Sequence, residues 1–80
     1  MNSEQIESIV RSVLSIVLQT SFTAGSAVTR DNTPSWDSLK HMEIFFALED
    51  ELGVEFTEAE LATLDSVAKI VESVEKKHAS

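Results

Sequence analysis

Trp36-Asp37-Ser38-Leu39-Lys40-His41-Met42-Glu43-Ile44-Phe45-Phe46-Ala47-Leu48-Glu49-Asp50-Glu51-Leu52-Gly53 is the stretch on which the fold turns. Asp37 suits a helix N-cap and Gly53 suits the left-handed residue just beyond a helix end, so the spacing predicts a helix over 38–52. Projected at about 100° per residue, its apolar side chains separate into two arcs. Ile44, Phe45, Leu48 and Leu52, with His41 among them, occupy roughly a quarter to a third of the circumference and form the natural core face. Leu39, Met42 and Phe46 lie on another arc, interleaved with Glu43, Glu49 and Asp50. On the residues alone two roles remain open for that arc. The loop before the helix folds over it, or it is a docking face of apolar anchors ringed by carboxylates that steer a basic partner.

Upstream, residues 20–36 break every periodic pattern. Gly25, Pro34 and many Ser, Thr and Asn favour turns, and a connection this long in a small domain is functional or pinned. Phe22, Val28 and Trp36 are the expected pins. Before it, Ile6, Ile9, Val10, Val13, Leu14 and Val17 repeat at helical spacing, so a helix is expected over about 3–19, capped by Asn2 or Ser3. Its β-branched residues lower intrinsic propensity, so packing must stabilise it. Downstream, Thr57-Glu58-Ala59-Glu60 has the spacing of a capping box and begins a short helix ending near Ala62. Asp65 is read as the cap of the last helix, whose stripe is Val67, Ile70, Val71 and Val74. Lys76, Lys77 and His78 sit where cations suit the helix dipole. The expectation is a single all-α domain over 1–80: a small four-helix bundle with three main helices, one short helix and a long loop between the first two.

Composition bounds the function. Eighty residues lie near the lower end of what one core stabilises unaided. The chain has no cysteine, so it has no disulfide framework, no thiolate metal site and no cysteine nucleophile; any thioester chemistry needs a thiol from a cofactor. Fourteen acidic residues against six basic ones give a net charge of −8, which disfavours nucleic acid as a partner. The charge suits encounter with basic surfaces, or serves only to keep a small protein in solution. No apolar run approaches the ~20 residues that span a bilayer. The N-terminus does not read as a signal peptide, so a cytoplasmic location is expected. Glu49, Asp50, Glu51 and Glu55 lack the spaced oxygen ligands of a cation loop, and no metal site is expected.

Ser38 stands where loop becomes helix, and a helix start has unpaired N–H groups that suit a phosphate on that hydroxyl. The run Trp36-Asp37-Ser38-Leu39-Lys40-His41-Met42-Glu43-Ile44 resembles the phosphopantetheine attachment site of acyl carrier proteins, where Asp-Ser-Leu precedes two variable residues, an apolar one, an acid and an aliphatic. Ala47-Leu48-Glu49-Asp50-Glu51-Leu52-Gly53-Val54-Glu55-Phe56 is similar to the acidic helix end of that family. The resemblance spans nearly the whole chain, with about twenty residues carrying its motifs. It implies a carrier that is not itself an enzyme, with 4'-phosphopantetheine on Ser38 and an acyl or aminoacyl group held on the arm as a thioester. It further implies that Asp37 helps position the metal and the phosphopantetheinyl transferase that attaches the arm. Leu39, Met42, Glu43, Phe46, Glu49 and Asp50 match positions that face acyl-loading and acyl-using enzymes with basic docking surfaces, and a monomer is expected. Two positions depart from the family pattern. Ser35, after Pro34, stands where many members have Gly, and Lys40 stands where fatty-acid carriers often have an acid or a small polar residue. Both favour a carrier dedicated to one pathway.

Asp65-Ser66-Val67 repeats the Asp-Ser-apolar pattern without the run that follows Leu39, so Ser38 is preferred as the modified serine. His41 lies one turn after Ser38, but a nucleophilic serine also needs an oriented base and an oxyanion hole, and none is visible. His41 is read as a half-buried spacer beside the arm. The competing class is a small acidic helical adaptor that binds a basic protein without any cofactor.

Overall fold

Asn2 opens the first helix by a reciprocal pair of bonds: its Oδ1 accepts from Gln5 N–H at 2.9 Å, and its own N–H donates to Gln5 Oε1 at 3.1 Å. Helix α1 then runs Ser3–Leu18. The computed structural model describes residues 2–22 and 26–79. Gly25, read above as a loop marker, lies outside the described residues. Helix α2 runs Ser38–Leu52, α3 Glu58–Thr63 and α4 Val67–Ala79, so the expected all-α arrangement of three main helices and a short one is observed. Among the described residues no helix is long and apolar enough to cross a membrane.

The core forms where α1 packs against α2 and α4. Ile6, Val10, Leu14, Ile44, Phe45, Leu48, Ile70 and Val74 are essentially inaccessible to solvent. They are the residues that the helical periodicities turn inward, and burial of such side chains contributes about 1.5–3 kcal/mol each. That packing offsets the modest helix propensity of the Ile- and Val-rich α1. Val28 and Trp36 are buried as expected, and Phe22 packs partly buried against the same cluster.

One helix end closes without a glycine, and one helix start differs from expectation. Gln19, not a glycine, takes the left-handed conformation after α1, with φ 53°. Its backbone N–H bonds Ser15 C=O, and Ser15 Oγ donates to Thr20 C=O at 2.7 Å, which closes the turn. At the start of α4 the cap is Ser66 and not Asp65. Ser66 Oγ accepts from Lys69 N–H at 3.2 Å, while Asp65 instead pairs with Lys69 Nζ at 2.9 Å. The reason lies in the loop. Val28 C=O accepts from Val67 N–H and Asp65 C=O accepts from Arg30 N–H, so a short antiparallel bridge between Thr29 and Ser66 holds the chain extended through Ser66. The helix therefore begins one residue late.

The loop carries its own polar frame. Thr29 and Asn32 exchange side-chain bonds to each other's N–H, Asn32 Nδ2 donates to Ala27 C=O, and Arg11 Nη2 donates to Ser26 C=O at 2.6 Å. These bonds satisfy backbone groups that a long non-helical segment would otherwise leave unpaired.

Candidate functional site

Asp37 is the N-cap of α2, its Oδ1 accepting from Lys40 N–H at 2.9 Å. That makes Ser38 the first helical residue, and it is exposed. The cap requires the chain to turn sharply into the helix, and the turn is held from below. Trp36, buried, donates its Nε1–H to His41 Nδ1 at 2.9 Å. An indole nitrogen only donates, so Nδ1 of His41 is the acceptor and its Nε2 carries the proton, which goes to Leu61 C=O at 2.6 Å. His41 stacks on Trp36 and lies against Phe45, which meets Phe56 edge to face at 4.8 Å.

His41 therefore departs from its expected role. It is buried with both ring nitrogens engaged, joining the start of α2 to α3. Its place on the inward arc between Ser38 and Phe45, with Trp36 beneath, leaves it no half-open position beside the serine.

The outer arc is open. Leu39 is 68% exposed, Phe46 61% and Met42 37%, so the described loop residues do not cover them. Glu43 and Asp50 are exposed on the same side. Glu43 pairs with Lys40 Nζ at 3.4 Å, a surface contact of small energetic weight. Glu49 differs from the other acids: it is half-buried and its Oε2 accepts from Phe56 N–H at 3.0 Å, tying α2 to the segment after Gly53. Gly53 ends the helix at φ 65°, the left-handed region that a glycine adopts without strain. Phe46, Glu49, Asp50, Gly53, Val54 and Glu55 line a shallow recess at this end. All eight expected site residues thus share α2 and its cap, with the apolar anchors exposed and the acids around them.

One residue at the site was not expected. Arg30 Nη2 donates to Ser38 Oγ at 3.2 Å, and Arg30 Nε donates to Trp36 C=O at 3.2 Å. Arg30 is the one base in the 20–36 loop, which was the signal available in the sequence. Ser66, by contrast, is buried and its hydroxyl caps α4.

No protein-family model matches the chain, and no curated protein sequence matches it.

Proposed function

We propose that this protein is a carrier, not itself an enzyme, holding an acyl or aminoacyl group on a 4'-phosphopantetheine arm attached to Ser38. The observation that carries the reading is the exposed Ser38 hydroxyl at the first turn of α2, with the Arg30 guanidinium against it. These residues fit a phosphate ester. A phosphate on Oγ would meet a cation and the unpaired N–H groups of the helix start. Attachment is a phosphoryl transfer: Ser38 Oγ bonds to phosphorus of coenzyme A as the pyrophosphate P–O bond breaks. The hydroxyl proton passes to a base of the transferase, and adenosine 3',5'-bisphosphate leaves. When bound, the arm supplies the thiol that the cysteine-free chain lacks, and carries its cargo as a thioester.

The chain's own part is presentation. Leu39, Met42 and Phe46 offer apolar anchors next to Ser38, and Glu43, Glu49 and Asp50 add a field that attracts the basic surfaces of the transferase and of enzymes that load or use the arm. Asp37 fixes the helix start on which the hydroxyl stands. On this reading the protein works as a cytoplasmic monomer.

Intact-mass measurement after incubation with coenzyme A and a phosphopantetheinyl transferase tests the reading. Wild type and Ser66→Ala gain one phosphopantetheine, and Ser38→Ala gains none while keeping its helical circular dichroism. No gain in wild type would leave the acidic adaptor as the better reading, and a gain that survives Ser38→Ala would overturn the assignment of the serine.

A further inference from the structure

Among the described residues, Arg11, Lys40, Lys69, Lys76 and Lys77 each pair with a carboxylate at 2.8–3.4 Å. Arg30 is the remaining base, and no described carboxylate pairs with it. In a chain with fourteen acids and six bases, each base has more than two carboxylates to meet, so an unmatched guanidinium is unexpected. Asp31 adjoins it in sequence, and Asp37 stands beside Ser38 but its Oδ1 accepts from the Lys40 N–H. The guanidinium goes instead to a neutral hydroxyl, Ser38 Oγ.

It is also held there. Arg30 N–H donates to Asp65 C=O at 2.8 Å and Arg30 C=O accepts from Thr33 N–H at 3.2 Å, so its backbone is fixed on both sides. Nε is anchored on Trp36 C=O, which leaves the Nη2 edge turned to Ser38. A hydroxyl offers a guanidinium one neutral acceptor, whereas a phosphate ester on the same oxygen brings anionic oxygens that form short charge-assisted bonds in the planar geometry arginine matches. The side chain is thus ordered in advance for an anion that the unmodified serine does not supply.

We propose that Arg30 is a positioning residue that grips the phosphate esterified to Ser38 and so holds the base of the arm against the 20–36 loop. The proposal rests on the carrier reading for the identity of the ester, and its test is independent of any transferase. A chain with phosphoserine encoded at position 38 is titrated by ³¹P NMR, alongside the same chain carrying Arg30→Gln or Arg30→Lys. The second ionisation of phosphoserine ordinarily lies near pH 6. With Arg30 present it falls about 0.5–1 pH unit below its position in Arg30→Gln, the scale of one cation near a surface phosphate. Arg30→Lys keeps part of the shift, and about 1 M salt, with its Debye length near 3 Å, reduces it. The Arg30 Nε–H resonance of the parent chain moves with the same midpoint, which gives a readout that needs no variant. Identical titrations with Arg30 and Gln, or an Nε–H resonance that ignores the phosphate, would overturn the proposal. Loss of the mass gain in wild type would instead overturn the carrier reading while a positive titration kept Arg30 as a phosphate-holding residue.

Discussion

Asp37-Ser38-Leu39 and Asp65-Ser66-Val67 share a residue pattern, and the two copies fold one residue out of phase. At the first, the aspartate caps α2 and the serine is exposed as the first helical residue. At the second, the serine caps α4 and is 8% exposed, while the aspartate turns to Lys69. The phase is set by what holds the chain just before each helix. Trp36, anchored beneath by His41, lets the first helix begin at Ser38. The bridge between Thr29 and Ser66 keeps the second chain extended one residue further. A tripeptide motif therefore does not decide which hydroxyl is offered to a partner; the neighbouring tertiary contacts do. Arg30 joins the two copies, its backbone N–H on Asp65 and its guanidinium on Ser38.

The largest effect comes from removing the support of the first copy. Phe45 is 1% exposed and touches both His41 and Phe56. Phe45→Ala should cost about 3–5 kcal/mol, a large share of the ~4–12 kcal/mol expected for a chain of this length. Phe46→Ala, its neighbour on the open arc, should stay within about 0.5 kcal/mol. Urea unfolding followed by the fluorescence of Trp36 separates the two. Equal costs would show that α2 does not present two distinct faces.

The tie between α3 and α4 depends on charge. Glu60 of α3 accepts from Lys77 Nζ and Ser73 Oγ of α4, each at 2.8 Å, and from Thr57 N–H at 2.9 Å. The Lys77 bond foremost, then the Thr57 N–H, lowers its pKa from 4.5 to about 2. A depressed carboxyl contributes stability that is fully present above its ordinary value and is lost as pH falls from about 4.5 through about 2. Discounted for partial solvent exposure, the contribution is about 1–3 kcal/mol at neutral pH. Asp65, lowered chiefly by its bond to Lys69, acts in the same sense. Glu60→Gln should remove the Glu60 contribution and flatten stability against pH across that window. An unchanged acid slope in Glu60→Gln would mean that the α3–α4 tie is not what acid releases.

What could be read in advance was local. The four helices, the inward arc of α2, the Asp37 cap and the Thr57–Glu60 box all follow from periods and spacings of a few residues. What could not be read depends on closure of the whole chain. Arg30 finds Ser38 eight residues on, and His41 finds Leu61 twenty residues on, and neither pairing leaves a period behind. The same holds for the start of α4, where a backbone bridge outranks the better-placed aspartate. Gln19 shows a further limit: a left-handed helix end needs no glycine when Ser15 and Thr20 secure the turn.

The smallest effects bear most directly on the phase difference, because they invert between the copies. If Asp37 and Ser66 are the caps, Asp37→Ala and Ser66→Ala should each cost about 0.5–2 kcal/mol, by leaving an N-terminal N–H without its acceptor. Ser38→Ala loses one exposed bond from Arg30 and should fall within about 0.5 kcal/mol, and Asp65→Ala, which loses one surface ion pair, should cost less than either cap. The caps belong to different helices, so the double variant Asp37→Ala, Ser66→Ala should show the sum of the single costs. Asp37→Asn should recover most of the first cost, since the cap needs an oxygen acceptor and not a charge. Thermal melts of the four single variants give the pattern directly: aspartate matters in one copy, serine in the other. A cost for Ser38→Ala as large as that for Ser66→Ala would break it. The Ser38 hydroxyl would then be committed to holding the fold, as Ser66 is, and would not be free for a partner to modify.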